Sequence, residues 1–408
     1  MHQVVKRPIL SAFGRSASAT TAAGMCIAAL GDISPTLLIV FCGGKLNEME
    51  VLRTFRARFG NIPVVGGAGA GAIATGKFGY SGLEVSVLAF TDQRLTPRVF
   101  AVPDLRIGEE VAAGHLAQKM KPFLSDGDTV TLFFDSVATN KPLRLHYASP
   151  IVKGFCNGCA PIRPQVLGGG TLTDFNFGDA WVFDGDEIRR HGLVALLWPS
   201  VITAETFVLH GCVPASAFLE ITKIDGAVVY ELDHQPALRV LESRLGLPFT
   251  TPDADRSLTL LATLGQKQGD PYAYPYDENA YVNRLILSAD AEAGSVTLFE
   301  PDFAEGARVQ IMSRDSSFML DSVRRGVRAA NEVIAEGDAL LALYINCAGR
   351  ASRLSGARTE ETEILTNGLS PSIPLVGFYS GVEIAPFADD SPRALDWTGL
   401  LAIMRYRQ

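Results

Sequence analysis

Cysteine is scarce, with six residues in a chain of 408, too few for a fold stapled by a disulfide framework. The one CxxC, Cys156-Asn157-Gly158-Cys159, has no second CxxC and no nearby histidine pair. A structural zinc site would want one or the other, so zinc would need His146 or His191 delivered by the fold. Pro161 and Pro164 follow too closely for a thioredoxin-like motif opening a helix. The pair reads as buried or loop cysteines. No apolar run approaches the ~18 residues needed to cross a bilayer. The N-terminal apolar residues are interrupted by Arg15, Ser16 and Ser18, so a secretory h-region is absent and a cytoplasmic address is expected. Clustered Lys and Arg are missing as well. With a formal charge of -8 and a pI near 5.4, nucleic acid is excluded as the main partner. The same balance gives no attraction toward an anionic membrane. Gly67-Ala68-Gly69-Ala70-Gly71 lacks GxGxxG spacing and no Gly-Lys-Ser/Thr follows, which argues against a phosphate loop.

What is present describes an ordinary folded protein, 47% hydrophobic and 20% charged, of a length that suits two domains. Apolar runs and glycine pairs align in three copies. The first has a strand at Leu37 to Cys42, a helical pattern through Met49, Leu52, Phe55 and Phe59, then Ile62-Pro63-Val64-Val65-Gly66-Gly67 and a strand at Glu84 to Phe90. The second has Val130 to Phe134, a weaker centre, Gln165 to Gly170 and Leu193 to Trp198. Trp181 to Ile188 inside it reads as a hairpin turning at Asp184-Gly185. The third has Leu340 to Asn346, a helix around Thr359 to Leu369, Ile373 to Gly377 and a strand at Leu400 to Met404.

Between the second and third copies, Leu219 to Tyr230 reads as two strands about Asp225-Gly226, Pro236 to Leu245 as a helix, and Gly246 to Arg256 as a linker. Strands are expected at Arg284 to Leu287, Val296 to Glu300 and Val309 to Ser313, and a helix at Phe318 to Glu336. Ser16 to Leu30 reads as an opening helix. The expected fold is α/β, a two-domain protein with mixed sheets built from repeated strand-helix-strand-glycine-turn units, divided at 1–240 and 241–408.

Several of these stretches resemble the FIST family of bacterial sensory proteins, with its FIST-N and FIST-C halves. The residues that carry the resemblance are Val64-Val65-Gly66-Gly67 with Glu84 to Phe90, His210-Gly211-Cys212-Val213-Pro214, and Ile221-Thr222-Lys223 through Pro236-Ala237-Leu238. In the second half they are Glu305-Gly306 with Val309 and Met312, Cys347 with Gly349-Arg350, Glu360-Glu361 and Gly377-Phe378-Tyr379. The family often shows Gly-Glu-Ile after the glycine turn. This chain has Gly71-Ala72-Ile73 in the first half, and in the second keeps Glu383 but has Val382 in place of glycine. The resemblance implies a small-ligand-binding sensory protein of signal transduction, with its ligand in a crevice between the halves and its output through a separate partner. Some members are haem-binding nitric oxide sensors that regulate histidine kinases or cyclic-di-nucleotide enzymes.

The residues offer matching candidates. Asn346, Cys347 and Arg350 stand at a strand end, where open α/β sheets present side chains to ligands. The fork of Arg350 suits a carboxylate such as that of an amino-acid-like metabolite, or else pairs with Glu360, Glu361 or Glu383 to hold the loop. Phe378 and Tyr379 read as pocket wall or core. Glu383, an acid in an apolar strand, must find a partner. Gly66 and Gly67 leave room for a flat ligand or for tight backbone packing. His210 is the candidate axial ligand if haem is the cofactor; His115, His146 and His191 are its rivals. A Cys347 nucleophile acting on a small carboxylate is the enzymatic alternative, for which no histidine follows His234. The expectation is a binding protein and not an enzyme.

Overall fold

The computed structural model describes residues 8–102, 104–246, 262–273, 276–387 and 391–407. Its frame is three six-stranded sheets built on one plan. At the centre of each is a parallel pair: Leu37–Gly43 with Val64–Gly69, Thr129–Asp135 with Gln165–Thr171, and Ala339–Cys347 with Leu375–Ser380. These strands are almost wholly buried, which is why they read as continuous apolar runs. A helix joins each pair: Glu48–Phe59, Ala148–Cys159 and Glu361–Gly368. The first shows the local logic. The Asn47 side chain caps its N-terminus by accepting from the Glu50 N–H, and Gly60, at φ +79°, ends it. It buries Val51, Leu52 and Phe55, while Met49, expected on that face, is exposed.

Each pair is flanked by an antiparallel strand, Glu84–Phe90, Leu193–Leu197 or Gly399–Tyr406. Outside that lies one more, Ile9–Arg15, Arg98–Val102 or Ile202–Leu209. These outer strands escaped the sequence reading because their burial is mixed. The opening helix accordingly starts later than expected, at Ala19.

The fifth and sixth positions of every sheet are filled by exchange. The hairpin Ala72–Gly79 leaves the first unit and pairs with Leu375–Ser380 of the third. The hairpin Val182–Arg189 of the second joins Val64–Gly69 of the first. Val382–Pro386 of the third, itself paired with Pro392–Leu395, joins Gln165–Thr171 of the second. The three sheets are therefore locked in a ring, and strands from both sides of residue 240 share the second and third of them.

Glycine recurs at one register in all three units, Gly66, Gly168 and Gly377. A Cβ there would stand 2.0–2.3 Å from the carbonyl oxygen of Val40, Leu132 or Tyr344 on the neighbouring strand, so only glycine lets the parallel strands close. Where the sheets meet, Phe41, Phe133 and Phe378, one from each, form a ring cluster with centroids 4.1–6.0 Å apart. Removing one such ring costs about 3–5 kcal/mol.

Six of the remaining strands close into an antiparallel barrel. Leu219–Asp225 pairs with Val228–Leu232, then follow Ser295–Leu298, Tyr281–Asp290, Ala262–Lys267 and Arg308–Ser313, which returns to Leu219. Leu264, Val282, Val309 and Ile311 join the large core cluster. Alternation turns Thr263, Gly265, Asn283, Leu285 and Met312 to the other face. There Leu285 and Met312 pack with Cys347 and Trp397 at the strand ends of the third sheet. The expected helices are found at Ala237–Leu245 and Ser316–Ala335. The expected linker, apart from Gly246, lies outside the described residues.

Candidate functional site

At the C-terminal ends of the third sheet the residues singled out from sequence do come together, but mostly to satisfy one another. Arg350 is fully buried. Its Nε and Nη2 grip Glu361 at 2.9 and 2.5 Å, and Nη1 donates to the carbonyls of His210 and Trp397 at 2.9 and 3.0 Å. Of the pairings open to Arg350 the fold uses Glu361, and this leaves the fork unavailable to clamp a ligand. Burial opposes its charge, and Glu361 outweighs that penalty. Asn346 donates to Thr362 at 3.3 Å. The Tyr379 hydroxyl, 2.8 Å from both, joins Glu360 to Thr362. Phe378 stacks on Phe41 in the core.

Glu383 is buried and accepts from the Ser380 hydroxyl at 2.5 Å and the Thr398 N–H at 3.3 Å. Burial lifts its carboxyl well above the usual range. Gly66 and Gly67 hold backbone against backbone: a Cβ would meet Val40 O at 2.3 Å and Trp181 O at 2.5 Å. The space for a flat ligand is filled there.

His210 is buried with both ring nitrogens engaged. Nδ1 accepts from the Cys212 N–H at 2.9 Å, and Nε2 faces the Glu278 carbonyl at 2.6 Å, which fixes the Nε2–H tautomer. Burial also depresses its basicity. No lone pair is left for a metal, so the residues present do not fit a haem held through His210.

Immediately beyond this satisfied cluster the pattern reverses. The barrel face opposite carries buried polar atoms without protein partners: both side-chain atoms of Asn283, and Nε and Nη2 of Arg314. Trp397 Nε1 and Asp396 Oδ1 are unpartnered in the same way. The Arg314 guanidinium lies 4.2 Å over the Trp397 ring. Burial pulls its basicity down to about 10. Native proteins pair nearly all such groups, and a buried guanidinium lacking a carboxylate is costly. Asp315, next in sequence, is diverted to cap the helix Ser316–Ala335 through the Ser317 N–H at 2.7 Å. Gly265 keeps the face open, for a Cβ there would press on Met312 and Asn283.

A cavity of about 400 Å³ lies beside this junction and shares Cys212 with it; Gly211, Val213, Tyr276, Glu278 and Phe318 are among its other lining residues, and none of the unpartnered groups lines it. The Tyr276 hydroxyl closes on the Cys212 carbonyl. Burial pushes the Cys212 thiol up to about 12, and burial followed by the charge of Glu383 pushes Cys347 up as well. Thiols held protonated are poor nucleophiles. Of the candidate site residues named from sequence, Cys347 packs at this junction. Arg314, Trp397 and Asn283 went unread. The signal for Arg314 was weak, since the Arg314-Asp315 dipeptide looks self-paired until the helix cap claims the acid.

Comparison with known proteins places this architecture. The FIST N domain family matches residues 36–235 and the FIST C domain family residues 237–386. Two uncharacterised proteins of Mycobacterium tuberculosis, from strains CDC 1551 and H37Rv, are each 30% identical over 225 residues. The match covers 55% of this chain and 56% of each relative, so the chain spans about half the length of the curated relatives it matches. Among solved structures, a cyanuric acid hydrolase from A. caulinodans aligns over 98% of this chain and 99% of its own, at a TM-score of 0.34 and 11% identity. At that score no fold or activity is transferred. No described helix is long and apolar enough to cross a membrane.

Proposed function

From the premise that the chain belongs to the FIST family, whose domains are associated with small-ligand binding in sensory signalling, we propose that it senses a small carboxylate-bearing metabolite. The ligand sits at the junction of the barrel with the third sheet, and its occupancy is read by a separate partner protein. The observation that carries this reading is the free side-on edge of Arg314. In Arg94, Arg106, Arg284 and Arg350 the same two nitrogens, Nε and Nη2, each grip a carboxylate of this chain. In Arg314 they are buried and empty-handed. A planar carboxylate supplies the two acceptors that this edge lacks.

The rest of the junction suits the remainder of an amino-acid-like ligand. Asn283 and the Trp397 N–H offer hydrogen bonds, Leu285 and Met312 an apolar wall, and Asp396 Oδ1 an acceptor for an ammonium group. Binding, not turnover, is the role this site supports: both thiols are held protonated, and His210 has no free nitrogen to act as base.

Thermal unfolding of the full chain against a panel of amino acids and other small carboxylates tests the proposal, because a ligand that binds only the native state raises the midpoint by mass action. At least one carboxylate should raise it, and its amide analogue should not. A panel in which amides and carboxylates act alike would sink the idea.

A further inference from the structure

A second polar chain stands at the corresponding place in the second unit. Trp397 precedes its flanking strand by two residues and has φ +57°, and His191 does the same in its own unit with the same φ. The backbone registers coincide as well, since Cys347 N–H donates to Thr398 O and Asp135 N–H to Gly192 O. Yet where Trp397 faces unpartnered groups, His191 is tied into a line of three side chains. Glu109 Oε1 lies 2.9 Å from His146 Nδ1, and His146 Nε2 lies 3.1 Å from His191 Nδ1.

Proton positions follow from these contacts. Burial opposes charge on Glu109, but the hydrogen bond from His146, a backbone hydrogen bond and the attraction of His146 together outweigh it and keep the carboxyl below its usual range. An ionised Glu109 requires the proton of His146 on Nδ1. His146 Nε2 is then a bare acceptor, and His191 must donate from Nδ1. A first added proton, on His191 Nε2, leaves that contact intact. A second, on His146, sets two N–H groups face to face at 3.1 Å and breaks it. Around the pair stand Asp135, which accepts from the His191 N–H at 2.7 Å, the Asp104–Arg106 pair, and Glu300, whose carboxyl burial lifts to about 8 and which titrates alike in the native protein and the variant. Burial holds His191 below 6.5, against the pull of Asp135.

The line joins three segments: the start of the helix Glu109–Met120, the entry to Ala148–Cys159, and the turn before Leu193–Leu197. Two residues past His146 the chain is clasped from the barrel side, where Glu300 accepts from Ala148 N–H at 2.9 Å and Ser149 N–H at 2.8 Å. We propose that Glu109, His146 and His191 form an acid-sensitive catch that fastens these segments at neutral pH and lets them go on double protonation.

The sign follows from the depressed basicity of His191. The unfolded chain takes up its proton near 6.5 and the native chain only below that, so stability is intact above that pH and is lost as pH falls through the window. The test is the unfolding midpoint of the full chain between about pH 8 and about pH 5, for the native protein and for the double variant His146→Gln with His191→Asn. The pair of amides keeps an acceptor facing a donor, and asparagine tolerates the left-handed φ, but neither side chain titrates. The native midpoint should fall by about 3 °C or more more steeply than that of the variant. A uniformly lower midpoint with an unchanged pH slope would overturn the catch. Imidazole nitrogen NMR on the native chain decides independently. At about pH 8 both rings should carry their proton on Nδ1, and a proton found on His191 Nε2 instead would overturn it too.

Discussion

Two buried arginines stand on either side of one junction and teach opposite lessons. Arg350, at the end of the third sheet, has its carboxylate, two carbonyls and a neighbouring layer of satisfied acids. Arg314, across from it on the barrel face, has an aromatic ring, two protonated thiols and two unpartnered nitrogens. In sequence both are an arginine shortly after an apolar strand with acids within reach. The difference lies in what each is given by residues distant in the chain, and it separates a group that holds the fold from a group held ready for something else.

The comparison breaks most sharply at Glu361. Changing Glu361→Ala leaves Arg350 buried without its partner, and denaturant unfolding should show a loss of about 3–5 kcal/mol. Arg314→Met should leave the stability of the free chain unchanged or raise it, because an uncompensated cation is removed from the interior. Equal losses at the two sites would erase the distinction.

A smaller effect is expected at Asp396. Burial lifts its carboxyl from 3.8 to about 6, so the native state holds a proton that the unfolded state has released. This group therefore makes stability fall as pH rises from about 4 to about 6, by a few kcal/mol in all. Asp396→Asn should flatten that part of the stability profile. If Asp396 receives an ammonium group, ligand affinity should fall below about pH 6 in the native chain. A profile unchanged by Asp396→Asn would contradict the account of the acid.

The smallest effect sharpens the satisfied side. Tyr379→Phe removes one hydroxyl that joins Glu360 to Thr362 and should cost about 1–2 kcal/mol without touching ligand binding. A change in binding would show that the two sides of the junction are not independent.

Much of the frame was legible because its central strands are buried on both faces. Leu37–Gly43 and Ala339–Cys347 announce themselves as apolar runs, and Gly66, Gly168 and Gly377 mark the register at which two backbones close. The outer strands such as Arg98–Val102 were not legible, since an edge strand with mixed burial has no period to read. Nor was the exchange of hairpins, which depends on pairing between residues far apart in the chain, as in Ala74 with Val376 or Gly67 with Val182. At the site, sequence located Cys347 and Arg350 by their position at a strand end, and missed Arg314 and Trp397. Pairing decided the matter, and it is fixed in three dimensions: Glu361 takes Arg350, the helix cap takes Asp315, and Arg314 is left over.

The central claim is that Arg314 receives the ligand's carboxylate. Isothermal titration of the carboxylate that most stabilises the native chain, repeated on Arg314→Met, tests it most directly. Loss of a bidentate charge-assisted contact predicts an affinity lower by about 100-fold or more, with the free variant folded as before. Affinity within a few-fold of the native value in Arg314→Met would contradict the account.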